Sequence, residues 1–203
     1  MGESNYMKKI NQFIEEKMKY IGSLDSVLDM GGGARFTKWL KKYKHYFNDD
    51  SYKTFDFDAS TNPDFVGDIH NIDLEDNYFE AIICSSVLEH VEDPIQAVKE
   101  MYRILKPKGV LFCYIPSIYP YHVKKGHYRD YWRFFDDTVD LLFKDFKDKE
   151  VLKFGGYFKA LSFFFPFQHK FRFILNPVAE FLDKVFKTNS RTTTAGYYIF
   201  VKK

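Results

Sequence analysis

Cysteine is nearly absent from this sequence: Cys84 and Cys113 are the only two in 203 residues, each inside an apolar run. Two such thiols make no disulfide framework, so reduced, buried cysteines in a cytoplasmic protein are the simpler expectation. Charge of one sign is lacking too. Lys and Arg number 30 against 28 Asp and Glu, a net charge of +2, too little for electrostatics alone to hold a nucleic acid. The basic stretch KWLKKYKH (38–45) reads as a solvated helix face. Long apolar runs are missing as well. The longest cluster, LSFFFPF (161–167), falls far short of the roughly 20 residues that span a bilayer. The opening MGESNYMKKINQF has no apolar core of the kind a signal peptide needs, and Tyr6 stands where a myristoylation signal needs Ser or Thr. These absences predict a cytoplasmic protein, at most peripheral to the inner face of a membrane. A Gly-Lys-Ser/Thr ending is also missing, which excludes a phosphate-cradling P-loop.

What is present is a large apolar supply. Apolar residues make up 45% of the chain and aromatics 20%, ample for a sizeable core at a length that suits one large α/β domain. Tyr6, Ile10, Phe13, Ile14 and Ile21 recur at helical spacing, which predicts an amphipathic helix over about 5–21. Short apolar strands follow at 26–30, 52–57, 64–69, 79–86, 110–116, 150–156 and 196–203. Helical stretches are read at 35–43, from Pro94 to Lys106, and at 136–146. Strands alternating with helices imply a mostly parallel sheet between helical layers. With no repeat or linker, residues 1–203 read as one domain. An aromatic-rich helical insertion, about 157–190, separates the last two strands.

The first strand runs into SVLDMGGGARF (26–36). A dinucleotide fingerprint needs G-x-G-x-x-G, and Phe36 stands where its last glycine belongs. The remaining form is an acid that ends the strand followed by Gly-x-Gly, here Asp29, Gly31 and Gly33, as in enzymes that bind S-adenosylmethionine (SAM). That ligand has no pyrophosphate, so backbone must approach it closely while the need for a third glycine is weaker.

With the blocks downstream, the chain resembles the class I SAM-dependent methyltransferases over roughly 25–155. Those blocks are Asp56 at the end of the second strand, GDI (67–69), ICSSVLEHV (83–91) and EMYRILKPKGVLF (100–112). The resemblance implies a three-layer, Rossmann-like α/β sandwich whose seven-stranded, mostly parallel sheet has its last strand antiparallel, with helices on both faces. It implies a SAM site built from Asp29, Gly31, Gly32, Gly33, Asp56, Phe57, Asp68, Ile69 and Ser85. Asp56 would accept both ribose hydroxyls, a task suited to an acceptor-only carboxylate. Phe57 would pack on the adenine and Asp68 would accept its amino group. Asp58 competes for the ribose role; the apolar run ends at Asp56, which favours the latter. The product would be S-adenosylhomocysteine, and no metal is expected. A Rossmann-type NAD-dependent oxidoreductase and a non-catalytic SAM-binding protein are the rival readings.

The segment IPSIYPYHVKKGHYRDYWRFF (115–135) follows the fifth strand, where these enzymes line the acceptor pocket. It resembles the methyltransferase type 11-like proteins associated with surface-polysaccharide biosynthesis. That implies a small-molecule or sugar-containing acceptor, methylated at oxygen; an RNA or protein acceptor stays open, though no basic stripe favours either. His127, His122 and Asp130 are the candidate catalytic residues. Tyr128, Arg129, Trp132 and Arg133 are the candidate acceptor contacts, since aromatic faces and planar ions suit sugar rings and anions. Each has a structural alternative. His90 opens a helix, Asp130 and Arg133 pair to hold the loop, and Lys124 and Lys125 are solvated. A metal on His122, His127 and Asp130 matches no compact ligand spacing. Residues 161–173 have three readings: a lid that completes the core, a homodimer interface, or a peripheral membrane contact through His169, Lys170 and Arg172.

Overall fold

In the computed structural model, residues 5–36, 38–124, 126–188 and 193–203 are described. Lys125, read above as solvated, and the end of the insertion at 189–190 lie outside them. Helix α1 (Asn5–Gly22) precedes strand β1 (Val27–Met30). A 3-10 segment (Lys38–Tyr46), β2 (Tyr52–Asp56), the two-residue β3 (Phe65–Val66) and β4 (Phe79–Ser85) follow. Then come α2 (Pro94–Ile104), β5 (Leu105–Pro116), α3 (Asp136–Leu142) and β6 (Lys147–Phe154). Helices α4 (Tyr157–Ser162) and α5 (Gln168–Val185) lead to β7 (Gly196–Lys202).

The seven strands form one sheet in the order β3-β2-β1-β4-β5-β7-β6. Neighbours are parallel as far as β5, and β7 runs antiparallel to both β5 and β6. This is the Rossmann-like sheet implied by the resemblance. Every residue of β1 is buried, as a strand covered on both faces must be. Because side chains alternate along a strand, one sequence feeds two cores. Leu28, Met30, Ile82, Cys84, Leu111 and Cys113 face α2 and α3. Val27, Ala81, Ile83, Val110 and Phe112 face α1 and the 3-10 segment. Cys84 and Cys113 sit opposite each other in register on β4 and β5 as free, fully buried thiols, and burial pushes the Cys113 thiol up.

Three elements differ from their sequence reading. The helix expected from Arg35 begins at Lys38 and is 3-10, because Phe36 is left-handed (φ 52°) and turns inward to stack on Tyr52 at 4.0 Å. The strand expected over 64–69 shrinks to two residues, since Asp64 turns back to Thr54: its N–H donates to Thr54 Oγ1 (3.0 Å). β5 begins at Leu105, ahead of the KPKG turn, which is absorbed as an irregularity in its pairing with β4.

α4 and α5 contribute no residue to either core cluster. They are held together by Asp183, whose buried carboxylate accepts the N–H groups of Gly156 (3.1 Å), Phe158 (2.8 Å) and Lys159 (3.0 Å) at the start of α4 and the Thr188 hydroxyl. Those N–H groups are the ones a helix start leaves without intrahelical partners.

Candidate functional site

Strand register decides which residues meet. Met30 is level with Phe55 on one side and Cys84 on the other, and Asp56 is level with Val66. The carboxyl ends of β1 to β4 therefore finish along one edge of the sheet, the edge where open α/β sheets bind ligands. The triple glycine, Asp56, Asp68 and Ser85 all leave the sheet there.

The glycine loop is built around buried acid. Asp29, 8% exposed, accepts the hydroxyl of Tyr52, which lies wholly inside the core. A Cβ on Gly32 would run into the Asp29 carboxylate, so the loop can close over the acid only with glycine at that position. Gly33 is left-handed (φ 53°), and a Cβ there would stand 3.3 Å from Thr61 and 3.5 Å from Asp56 Oδ2. The first loop and the end of β2 thus face each other across Gly33.

The two competing acids separate cleanly. Asp58 is engaged at both oxygens: Oδ1 accepts Ser60 N–H (2.9 Å) and Oδ2 lies 3.1 Å from His127 Nδ1. Ser60 foremost holds its carboxyl below the usual range. Asp56 accepts Asp58 N–H at Oδ1 (3.0 Å) and turns Oδ2 toward Gly33. Phe57 beside it is 60% exposed. Asp68 Oδ1 takes both the N–H (2.9 Å) and Nδ1 (2.6 Å) of His70, and the His70 backbone N–H is the main reason its carboxyl is held down. Ile69 belongs to the core. Arg35 is turned outward: it donates to Asp64 Oδ1 (2.7 Å) and Oδ2 (3.2 Å) and to the carbonyl of Asp49 (2.8 Å), tying the glycine loop to the β2–β3 region.

The segment after β5 lies over the turn after β4. Tyr131 and Trp132 N–H both donate to the Glu89 carbonyl (2.8 and 3.2 Å), and Trp132 Nε1 donates to the Val91 carbonyl (2.9 Å). Arg133 is the clamp. Its five N–H donors reach Asp130 Oδ1 and Oδ2 (both 2.7 Å) and the carbonyls of Tyr119 (2.9 Å), Pro120 (2.8 Å) and Trp132 (2.6 Å). That is a guanidinium's full complement. Asp130 has no exposed side-chain surface and also accepts His122 N–H (2.7 Å). Burial pushes its carboxyl up, but Arg133 and the His122 N–H overcome that and hold it at about 2. The pair therefore sets the shape of the loop.

His122 and His127, five residues apart, are divided. His127 reaches across to Asp58 at the end of β2. His122 packs edge-on against His90 (ring centroids 4.9 Å), and Tyr128 leans on the other side of His90 at 4.3 Å. His90 Nδ1 lies 2.6 Å from the Arg129 carbonyl, an acceptor, so Nδ1 carries the proton and Nε2 carries the lone pair. Burial pulls its pKa down. Glu89, 1% exposed, brings a carboxylate oxygen to 3.8 Å from His90 Nε2. Glu89, His90 and His122 offer three ligand atoms within 4.8 Å of one another, a set whose chemistry could take a divalent cation. The set His122, His127 and Asp130 does not converge. Sequence reasoning missed Tyr52, Glu89 and His70. Tyr52 read as strand filler, and only a carboxylate inside the apolar run SVLEHV hinted at Glu89.

Residues 28–113 match the sequence profile of a methyltransferase domain family. Demethylmenaquinone methyltransferase of Staphylococcus haemolyticus is 34% identical over 101 residues, 43% of this chain and 42% of that protein. Malonyl-[acyl-carrier protein] O-methyltransferase of Calditerrivibrio nitroreducens is 33% identical over 110 residues, 51% of this chain and 44% of that protein. The chain spans less than half the length of these curated relatives. Among solved structures, a SAM-dependent methyltransferase from Archaeoglobus fulgidus superposes with a TM-score of 0.62 at 14% identity, covering 97% of this chain and 94% of that one. Another from Mesorhizobium loti gives 0.59 at 14% identity, covering 93% and 96%. At such identities the likeness establishes the fold.

Proposed function

We propose that this chain is a SAM-dependent methyltransferase that methylates an oxygen of a small-molecule or sugar-containing acceptor and releases S-adenosylhomocysteine. One observation carries the reading: Gly31–Gly33 and Asp56 close on each other at the carboxyl edge of the sheet, with Asp68 and Ser85 on the same edge. Asp56 takes the ribose hydroxyls, because its Oδ2 faces the glycine loop while Asp58 is occupied at both oxygens. Phe57 is exposed enough to lie against an adenine, and Asp68 keeps Oδ2 for the adenine amino group. Ile69 supports that wall from the core side.

Bound there, SAM supplies an activated methyl group and its own leaving group. The chain has to hold the acceptor in line, and positioning alone is worth up to about 7–11 kcal/mol. The acceptor enters on the side of His122, Tyr128 and Trp132, with Arg129 at the rim. SAM held there would give its methyl to the acceptor oxygen, its sulfur keeping the bonding pair, and an imidazole of this chain would take the hydroxyl proton. His122 is the better base, since it packs on His90 in the turn after β4; His127 closes on Asp58 at the cofactor edge. Asp130 and Arg133 act by positioning that loop.

The relatives named for demethylmenaquinone and malonyl-[acyl-carrier protein] favour a small or carrier-borne acceptor, and the aromatic loop favours a sugar, in keeping with a role in surface-polysaccharide synthesis. A labelled-methyl transfer screen over sugars, sugar nucleotides, lipid-linked glycans, phenols and RNA tests this. Transfer to a hydroxyl of a glycan or small molecule supports it, and transfer to RNA alone overturns it.

A further inference from the structure

The insertion between β6 and β7 shows an arrangement that a core element would not have. On α5, Phe171, Ile174, Val178, Phe181 and Val185 follow one another at intervals of three and four residues, so they form a single stripe along the helix. All five are 44–63% exposed. Asp183, on the opposite side of α5, anchors the helix to the start of α4 and so fixes the stripe outward. Phe164, Phe165 and Phe167 at the α4–α5 joint are exposed as well, and Phe173 projects well away from the stripe at 70% exposure.

Charge selects the occupant. Lys170 and Lys184 line one flank of the stripe, with the half-buried Glu180 one turn before Lys184 and further round the helix; Arg172 lies on the far side. The other flank is Leu175 and Leu182. A second copy paired through the stripe would set Lys170 against Lys184 if antiparallel, or against the leucines if parallel; neither register sets an acid at the positions that directly flank the stripe. The scatter of Phe164, Phe165, Phe167 and Phe173 off the stripe would also stay uncovered in a two-helix seam. A fluid anionic surface meets both features, taking aromatics over a wide arc and pairing the cations with headgroups. No helix among the described residues is long and apolar enough to cross a membrane, so the contact lies in the interface plane.

We propose that the α4–α5 hairpin docks this protein on an anionic lipid surface, with α5 in the headgroup plane and its apolar stripe turned to the acyl chains. Lipid docking is independent of the reaction assigned above. The full chain is sedimented with vesicles of phosphatidylcholine alone and of phosphatidylcholine with phosphatidylglycerol. The expected result is sedimentation with the phosphatidylglycerol vesicles that weakens as salt is raised. Phe171→Gln with Phe181→Gln should weaken it at least about tenfold, and Lys170→Glu with Lys184→Glu by roughly tenfold. Both pairs lie on exposed positions, so thermal unfolding should stay close to the parent. No sedimentation of the folded parent with either vesicle overturns the proposal. So does a dimer, seen by sizing and split by Phe181→Gln, in a protein that ignores vesicles.

Discussion

Asp56 and Asp58 stand two residues apart at the end of β2, and their hydrogen bonds give them different tasks. Ser60 and His127 occupy Asp58, whereas Asp56 presents Oδ2 to the glycine loop. Asp56→Ala should therefore weaken SAM binding about ten- to hundredfold, the value of two charge-assisted hydrogen bonds less screening, with unfolding temperature unchanged; calorimetric titration reads it. The histidines divide in the same manner. His122→Ala should lower turnover by about 10²–10⁴-fold with little change in SAM affinity, and His127→Ala should act mainly on SAM affinity through Asp58. Equal turnover losses in the two variants would contradict that division. His90 adds a pH signature. Burial lowers its pKa, so the neutral form, with Nδ1–H held by the Arg129 carbonyl, prevails at neutral pH. The ring protons of His90, followed by NMR, should then titrate below the ordinary histidine value of about 6.5. Asp130 gives a stability signature of opposite sense. Its folded pKa, about 2, is depressed below the ordinary value of about 3.9. The stabilisation by the Arg133 pair is thus complete above about pH 4 and is lost as pH falls toward 2. Arg133→Ala, which leaves a buried carboxylate unpaired, should cost about 3–5 kcal/mol at neutral pH in a denaturant titration. Sequence alone favoured Asp56 over Asp58 and named the Asp130–Arg133 pair, which the structure contains, but it did not divide His122 from His127, because that depends on where two loops cross.

At the scale of elements, the sequence is informative where a period repeats and weak where a single side chain overrides it. β1, β4 and β7 lie within a residue or two of their expected bounds, because their apolar runs are buried on both faces. Pro94 marked the start of α2, and the structure adds an Asp93 cap whose side chain accepts Gln96 N–H (2.9 Å). The stretch after the glycines was misread, because Phe36 satisfies a helical pattern yet goes to the core through a left-handed turn. That aromatic occupies the place where a dinucleotide fold keeps its last glycine, stacked on the tyrosine that holds Asp29. Phe36→Ala should cost about 3–5 kcal/mol and should also loosen the glycine loop. A parallel loss of stability and SAM affinity would show that coupling. Asp183→Ala tests the insertion: with three N–H groups at the start of α4 left unpaired, protease cleavage between β6 and β7 should accelerate while SAM affinity holds.

For the whole molecule, alternation of strands and helices was enough to predict the layered parallel sheet, and the resemblance supplied its antiparallel last strand. The ordered acids at strand ends pointed to one edge, and the register brings them there. The aromatic insertion was the least legible part. Composition alone allowed core, dimer seam or membrane face, and only the direction in which Asp183 holds α5 separates the first from the others. The central claim is that the edge formed by β1, β2 and β4 binds SAM. Calorimetric titration of the protein with SAM and, separately, with NAD tests it most directly. Saturable SAM binding, weakened in Asp56→Ala and with no NAD binding, is the predicted result; NAD binding without SAM binding would contradict it.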